Sequence, residues 1–255
     1  MPAIPLDINL IVIRHAERVD ETDQRNVFTQ AVKNAKAWHG DPWISQSGFA
    51  QAAKMAEVVA KSLGSRKDTF SKVYVSPLQR TVATAELLCK ALDKPLAATK
   101  SLAFAKALID YGASHNGDIS NCFEQMAFYR YDFEPKKGIC YDIDKVLDKS
   151  WQKCLVRLAR AEFEANISSN TSSTIHTSSS DGEIKVGRAN VVVVSHRELV
   201  HELASLASNT QSFRPGYATA TAFRIKISAH DSICDIQMIM PPTDEIFDSS
   251  FLDGG

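Results

Sequence analysis

Asn190-Val191-Val192-Val193-Val194-Ser195-His196 constrains the fold more than any other stretch of this 255-residue chain. Consecutive β-branched residues are stiff and favour a strand. A run apolar at every position is also too hydrophobic for a strand with one wet face, so it belongs at the centre of a sheet. It stops abruptly at Ser195-His196. Asn9-Leu10-Ile11-Val12-Ile13-Arg14-His15 repeats the design near the N-terminus, and Lys72-Val73-Tyr74-Val75-Ser76-Pro77 passes through a Ser-Pro turn into Leu78-Gln79-Arg80-Thr81. In open α/β sheets ligands sit beyond the carboxyl ends of the strands, so side chains that directly follow such runs face a site. A lone Arg-His pair there is ordinarily a strand emerging into solvent. Three strand ends offering two histidines and several arginines are a constellation.

The segments between these runs read as helices. Ala52, Met55, Ala56, Val59 and Leu63 recur at helical spacing, predicting a helix from Ser47 to Leu63 stopped by Gly64. Leu78, Val82, Ala85, Leu88 and Leu92 make the same stripe after the Ser-Pro turn. There Ser76 reads as the N-cap and Pro77 as the first helical residue, which puts Arg80 in the first turn, beside unpaired amides and aimed at an anion. Lys94 to Thr99 reads as a strand, and Ile143, Val146, Leu147, Trp151, Cys154, Leu155 and Leu158 as a helical stripe ending near Ala165. Leu199 to Ala207 reads as a further helix, Phe223 to Ile227 and Ile233 to Met240 as closing strands, and Pro241-Pro242 as the end of the packed structure.

Alternating strands and helices imply an α/β fold, a three-layer α/β/α arrangement with a mostly parallel central sheet. A single domain over residues 1–255 is expected, with a cap formed by insertions at about 20–43 and 101–142. The Ser/Thr-rich segment at about 166–187 lacks the apolar area to offset its ordering entropy and is expected to be a disordered loop.

A net charge of -1 leaves no basic footprint for nucleic acid or an anionic membrane surface. The five cysteines are odd in number and dispersed, which argues against a disulfide framework and a zinc site; they read as buried or incidental thiols. The N-terminal residues lack the basic and apolar regions of a signal peptide, and no apolar run reaches the ~18 residues of a membrane helix, so a cytoplasmic protein is expected.

Arg14-His15-Ala16-Glu17-Arg18, Ser76-Pro77-Leu78-Gln79-Arg80-Thr81 and Val194-Ser195-His196 resemble the motifs of the histidine phosphatase, or phosphoglycerate mutase-like, superfamily. Asp41-Pro42-Trp43-Ile44-Ser45-Gln46-Ser47-Gly48-Phe49-Ala50-Gln51-Ala52 resembles that family's block with a Gly and a Gln-Ala pair opening the first long helix. The Glu17-Arg18 continuation is similar to the branch of the suppressor-of-T-cell-receptor-signalling and ecdysteroid-phosphate phosphatases. The resemblance implies a phosphomonoester hydrolase working through a phosphohistidine, on a small phosphoester, a phosphotyrosine or another phosphoprotein. His15 would be the nucleophile, and Arg14 and Arg80, with Arg18 as this branch's extra cation, would clamp the phosphoryl oxygens. His196 would stand protonated beside the dianion, and no metal or other cofactor is implied. Two further readings stand beside this one. A catalytically weak relative would bind phosphorylated ligands without turning them over, while a mutase is disfavoured because Glu17-Arg18-Val19 departs from the mutase continuation. The family's usual acid is not evident, since the matching place reads Ser101-Leu102-Ala103-Phe104-Ala105-Lys106. Glu198 is a candidate proton donor, alongside Glu17 and Asp110.

Overall fold

A computed structural model describes residues 4–19, 43–76, 78–99, 102, 150–168, 186–207, 213 and 215–253. In chain order these form β1 (Leu6–Arg14), α1 (Gln46–Leu63), β2 (Val73–Val75), α2 (Gln79–Leu92), β3 (Leu96–Ala98), α3 (Ser150–Ser168), β4 (Gly187–Ser195), α4 (Arg197–Leu206), β5 (Ala220–Ile227) and β6 (Ile233–Thr243). Short 3-10 turns follow α1 (Gly64–Thr69) and close the chain (Ser250–Asp253). Apart from Trp43 and Leu102, the two cap insertions lie outside the described residues, as do most of the Ser/Thr-rich loop and Ile143, Val146 and Leu147 of the stripe leading into α3.

Among the described residues the sheet has the order β3-β2-β4-β1-β5-β6. The first four strands are parallel, and β5 and β6 complete the sheet antiparallel. The valine run is at the centre, as its composition requires. Its neighbour β1 pairs with it in parallel from Leu6↔Gly187 to Arg14↔Ser195, so the two strands end level with each other. The asparagines that open both apolar runs lie opposite one another. Asn9 Nδ2 donates to Asn190 Oδ1 at 3.0 Å, and Asn190 Nδ2 donates to Thr69 Oγ1 at 2.9 Å. A slip of one residue would leave a buried amide without its partner, so this pair fixes the register.

Period-two alternation sends the side chains of β1 to two cores. Leu6, Ile8, Leu10 and Val12 pack with Trp151, Leu155 and Ala159 of α3 and Leu199 and Leu203 of α4. Ile11 and Ile13 pack with Met55 and Val59 of α1 and Val82 and Leu88 of α2. Helices therefore cover both faces in three layers, which is why the central strands carry no polar alternation.

Helix α1 starts one residue before its expected position and is fastened to the chain after β1. Ser45 is the N-cap, accepting from Gly48 N at 2.9 Å, and Gly64 ends the helix with φ 52. The Glu17 carboxylate accepts from Ser45 Oγ at 2.7 Å and also from Ser47 Oγ, while Glu17 N donates to Gln51 Oε1 at 3.0 Å. Gly48 makes this approach possible, because a Cβ there would stand 2.4 Å from the Glu17 carbonyl oxygen. Gly48→Ala is accordingly expected to destabilise the fold by about 1–3 kcal/mol, the usual cost of overpacking, despite alanine's better helix propensity. Urea denaturation measures this, and a neutral or stabilising result would show that the helix and the strand end shift apart freely.

Two local expectations are corrected. Ser76 does not cap α2: the N-cap is Leu78, with no side-chain cap hydrogen bond, and the Ser76 hydroxyl points to a histidine described below. Pro241-Pro242 does not end the packed structure either. Strand β6 runs through both prolines to Thr243, tolerable because β6 is the edge of the sheet and needs no donor on its outer side. Beyond it Leu252 and Ser249 are buried, Ser249 Oγ donates to Ser62 O at 2.5 Å, and Arg66 pairs with Asp253 at 2.5 Å. Of the described cysteines, Cys154 is buried, Cys89 is partly buried and Cys234 is exposed, all as free thiols. No helix among the described residues is long and apolar enough to cross a membrane.

Candidate active site

The carboxyl ends of β2, β4 and β1 lie side by side, and each delivers polar side chains to the same place. His15 N donates to Ser195 O at 2.9 Å, and Ser76 N donates to Val194 O at 3.0 Å, so ladder bonds carry the register into the residues just past the strands. Arg14 ends β1, His15 and His196 directly follow β1 and β4, and Arg80 enters from the first turn of α2. All are buried, at 7%, 5%, 2% and 4% exposure. The rings of His15 and His196 meet edge to face with centroids 5.5 Å apart. Arg18 stands nearby, its backbone bridged to Ile44, and its charge acts on both imidazoles.

The tautomer of His15 follows from its partner. His15 Nδ1 lies 2.7 Å from the Ala16 carbonyl oxygen, which can only accept. Nδ1 therefore carries the ring proton, and Nε2 keeps a lone pair. Burial pushes the His15 pKa well below the ordinary imidazole range, and the charges of Arg80, Arg14 and Arg18 push it further against the opposing pull of Ala16. His196 is lowered in the same way, by burial first and then by Arg80. The expected imidazolium at His196 is thus disfavoured by the protein's own charges. A doubly charged anion among these groups would reverse that balance.

Because both imidazoles are held neutral in the fold, they bind protons more readily when unfolded, near 6.5. Stability is therefore expected to be full above that pH and to fall as pH drops below it, by up to about 1.4 kcal/mol per pH unit for each group. Denaturant titrations between pH 7 and 5 test this, and the paired replacement His15→Gln with His196→Gln should remove that part of the slope. An unchanged slope would show that the histidines are not the source.

Arg14, His15, Arg18, Arg80 and His196, expected together from their motifs, lie together in the fold. The proton-donor candidates fare differently. Glu17 is engaged by Ser45 and Ser47, which makes it a structural carboxylate at the mouth of α1. Glu198 lies in the first turn of α4, its carboxylate 3.5 Å from Arg197 Nη2. Asp110 is outside the described residues. His201 and His230, which lie outside the motifs, are exposed.

Several site residues escaped the sequence reading. Ser76, fully buried, shares a 2.7 Å hydrogen bond with His196 Nε2. Thr84 accepts from Ala16 N at 3.0 Å and donates to Arg80 O at 2.8 Å, tying the loop after β1 to the arginine's helix. Pro215 O accepts from Arg14 Nη1 at 2.7 Å, and Tyr217 lies against both Arg14 and His15. For Thr84, its place one helical turn beyond Arg80 was an available signal. Nothing in the sequence pointed to Pro215 or Tyr217. Among the described residues no group of three or more His, Cys, Asp or Glu is placed to hold a metal ion.

The family model of the histidine phosphatase superfamily (branch 1) matches residues 10–104, a stretch that includes Arg14, His15, Arg18 and Arg80, and the mixed α/β architecture is consistent with that fold. Among solved structures, one described as mycobacterial hydrolase 1 has 17% identity and a TM-score of 0.50, over 92% of this chain and 97% of that one. Mycobacterial hydrolase 2 has 16% identity and a TM-score of 0.50, over 97% of this chain and 95% of that one. A mycobacterial glucosyl-3-phosphoglycerate phosphatase has 16% identity and a TM-score of 0.49, over 92% of this chain and 98% of that one. At these identities the likeness is one of fold. No curated protein sequence matches the chain.

Proposed function

We propose that this chain, with its histidine phosphatase segment at residues 10–104, is a metal-independent phosphomonoester hydrolase that works through a phosphohistidine at His15. Its substrate would be a small phosphoester or a phosphotyrosine, free or in a phosphoprotein. The observation that carries this reading is the Nδ1 hydrogen bond of His15 to the Ala16 carbonyl at 2.7 Å, which leaves Nε2 an unprotonated base among Arg14, Arg80 and Arg18. The Glu17-Arg18 continuation supports a place near the suppressor-of-T-cell-receptor-signalling and ecdysteroid-phosphate phosphatases.

In this mechanism the Nε2 lone pair attacks phosphorus in line, and the bond to the ester oxygen breaks. The arginines spread the charge on the equatorial oxygens as it develops, through fixed donors that need no reorganisation. His196, turned basic by the dianion, takes a proton and donates to a phosphoryl oxygen. Water then attacks phosphorus, the P–N pair returns to Nε2, and the water's proton leaves with the phosphate.

Departure of the ester oxygen is the weak step. Glu17 is committed to the N-cap of α1, and Glu198 has Arg197 beside it. General acid assistance is worth about 10² to 10⁴ in rate, so without it phenols, which leave as stable anions, should depart far faster than alkyl alcohols. Aryl phosphates are expected to be hydrolysed measurably and alkyl phosphates very weakly, with a steep dependence on leaving-group pKa. A phosphomonoester panel with the purified protein tests the proposal. A flat dependence abolished by Glu198→Gln would make Glu198 the proton donor, and tight orthovanadate binding without turnover would favour the binding-only reading.

A further inference from the structure

We infer that Tyr217 is a positioning residue for Arg14, holding the guanidinium in its phosphate-binding place through the face of its ring; this rests on the reading of Arg14 as a phosphate ligand. The Arg14 Cζ lies 3.8 Å from the Tyr217 ring centroid, well inside cation–π range. The same side chain donates from Nη1 to Pro215 O at 2.7 Å. An aromatic face and a carbonyl oxygen fix a buried cation without carrying a formal negative charge, so neither cancels the attraction that an incoming phosphate needs. Tyr217 also packs against the nucleophile, its ring centroid 5.8 Å from that of His15.

The segment that presents these groups is tied both to the end of β1 and to itself. Arg14 N donates to Thr219 O at 3.1 Å, Ala218 N donates to His15 O at 3.3 Å, and Thr219 Oγ1 donates to Gly216 O at 3.0 Å. Ala218, 2% exposed, takes a left-handed backbone with φ 48, a conformation that alanine adopts only when its surroundings impose it. Residues 215–219 thus form a built support that delivers ring and carbonyl to the same arginine.

The test reads orthovanadate affinity together with kcat and KM on an aryl phosphate. Tyr217→Phe keeps the ring and should retain most of both. Tyr217→Leu should lose roughly tenfold to thirtyfold in orthovanadate affinity and in kcat/KM, the range expected of a desolvated cation–π contact. Pentafluorophenylalanine at position 217 keeps the ring's size but reverses its quadrupole. It should match Leu rather than Phe, and it keeps the test decisive if Leu disturbs folding. In an Arg14→Ala background, Tyr217→Leu should add little. Wild-type behaviour of the Leu and pentafluoro variants, or full additivity with Arg14→Ala, overturns the inference. Wild-type protein that binds orthovanadate without hydrolysing any ester would sink the hydrolase reading alone, and the affinities would still decide the role of Tyr217. Failure of the wild type to bind orthovanadate or phosphate would overturn both.

Discussion

His15→Ala is expected to abolish turnover, lowering kcat by about four orders of magnitude or more, the scale seen when a covalent nucleophile is removed from a site that otherwise stays intact. Among the described residues, the histidine beside it, His196, is not free to replace it. His196, 5.5 Å away ring to ring, has its Nε2 engaged with the Ser76 hydroxyl at 2.7 Å. Rapid quenching of wild-type protein on a fast aryl substrate should trap an acid-labile, base-stable phosphoenzyme that is absent from the variant. His15→Ala should still bind orthovanadate, though more weakly, because the arginines remain. Comparable activity in the variant and the wild type would remove His15 from the nucleophile's role and with it the phosphohistidine pathway.

Arg80→Ala should lose about 3–4 kcal/mol of transition-state stabilisation, read from kcat/KM, the scale of deleting one preorganised charge-stabilising donor. Lysine should rescue it poorly, since an ammonium cannot bridge two phosphoryl oxygens as a planar fork does. Full rescue by lysine would mean that Arg80 acts as a simple point charge. The pH profile supplies an independent readout. After burial, Arg80 is the largest influence holding both His15 and His196 below the ordinary imidazole range. With that charge gone, both should protonate more readily, and the acid limb of activity should move upward in pH. An acid limb that stays in place while activity falls would separate the phosphate-binding role of Arg80 from its effect on the histidines.

The sequence by itself determined the sheet, its strand ends and the five charged or titratable groups gathered there. Residues 191–194 could only be a strand buried on both faces, and Arg14, His15 and His196 had to lie at or just beyond the carboxyl ends of β1 and β4, because local stiffness and period-two burial leave little else. Arg80 was legible because a helix start is a local pattern. What sits opposite these groups was not, because it depends on contacts between residues far apart in the chain. Arg14 meets Pro215 across 201 positions and His196 meets Ser76 across 120. Ser76 looked like a cap because its neighbours in sequence favour capping, but the helix starts later and the hydroxyl serves the histidine across the sheet instead. Pro241-Pro242 looked like a terminator because proline lacks a donor, and only the sheet order reveals that β6 is an edge where none is required. Glu17 illustrates the same division: its spacing from His15 was plain, while its commitment to Ser45 and Ser47 exists only because Gly48 lets α1 approach the end of β1.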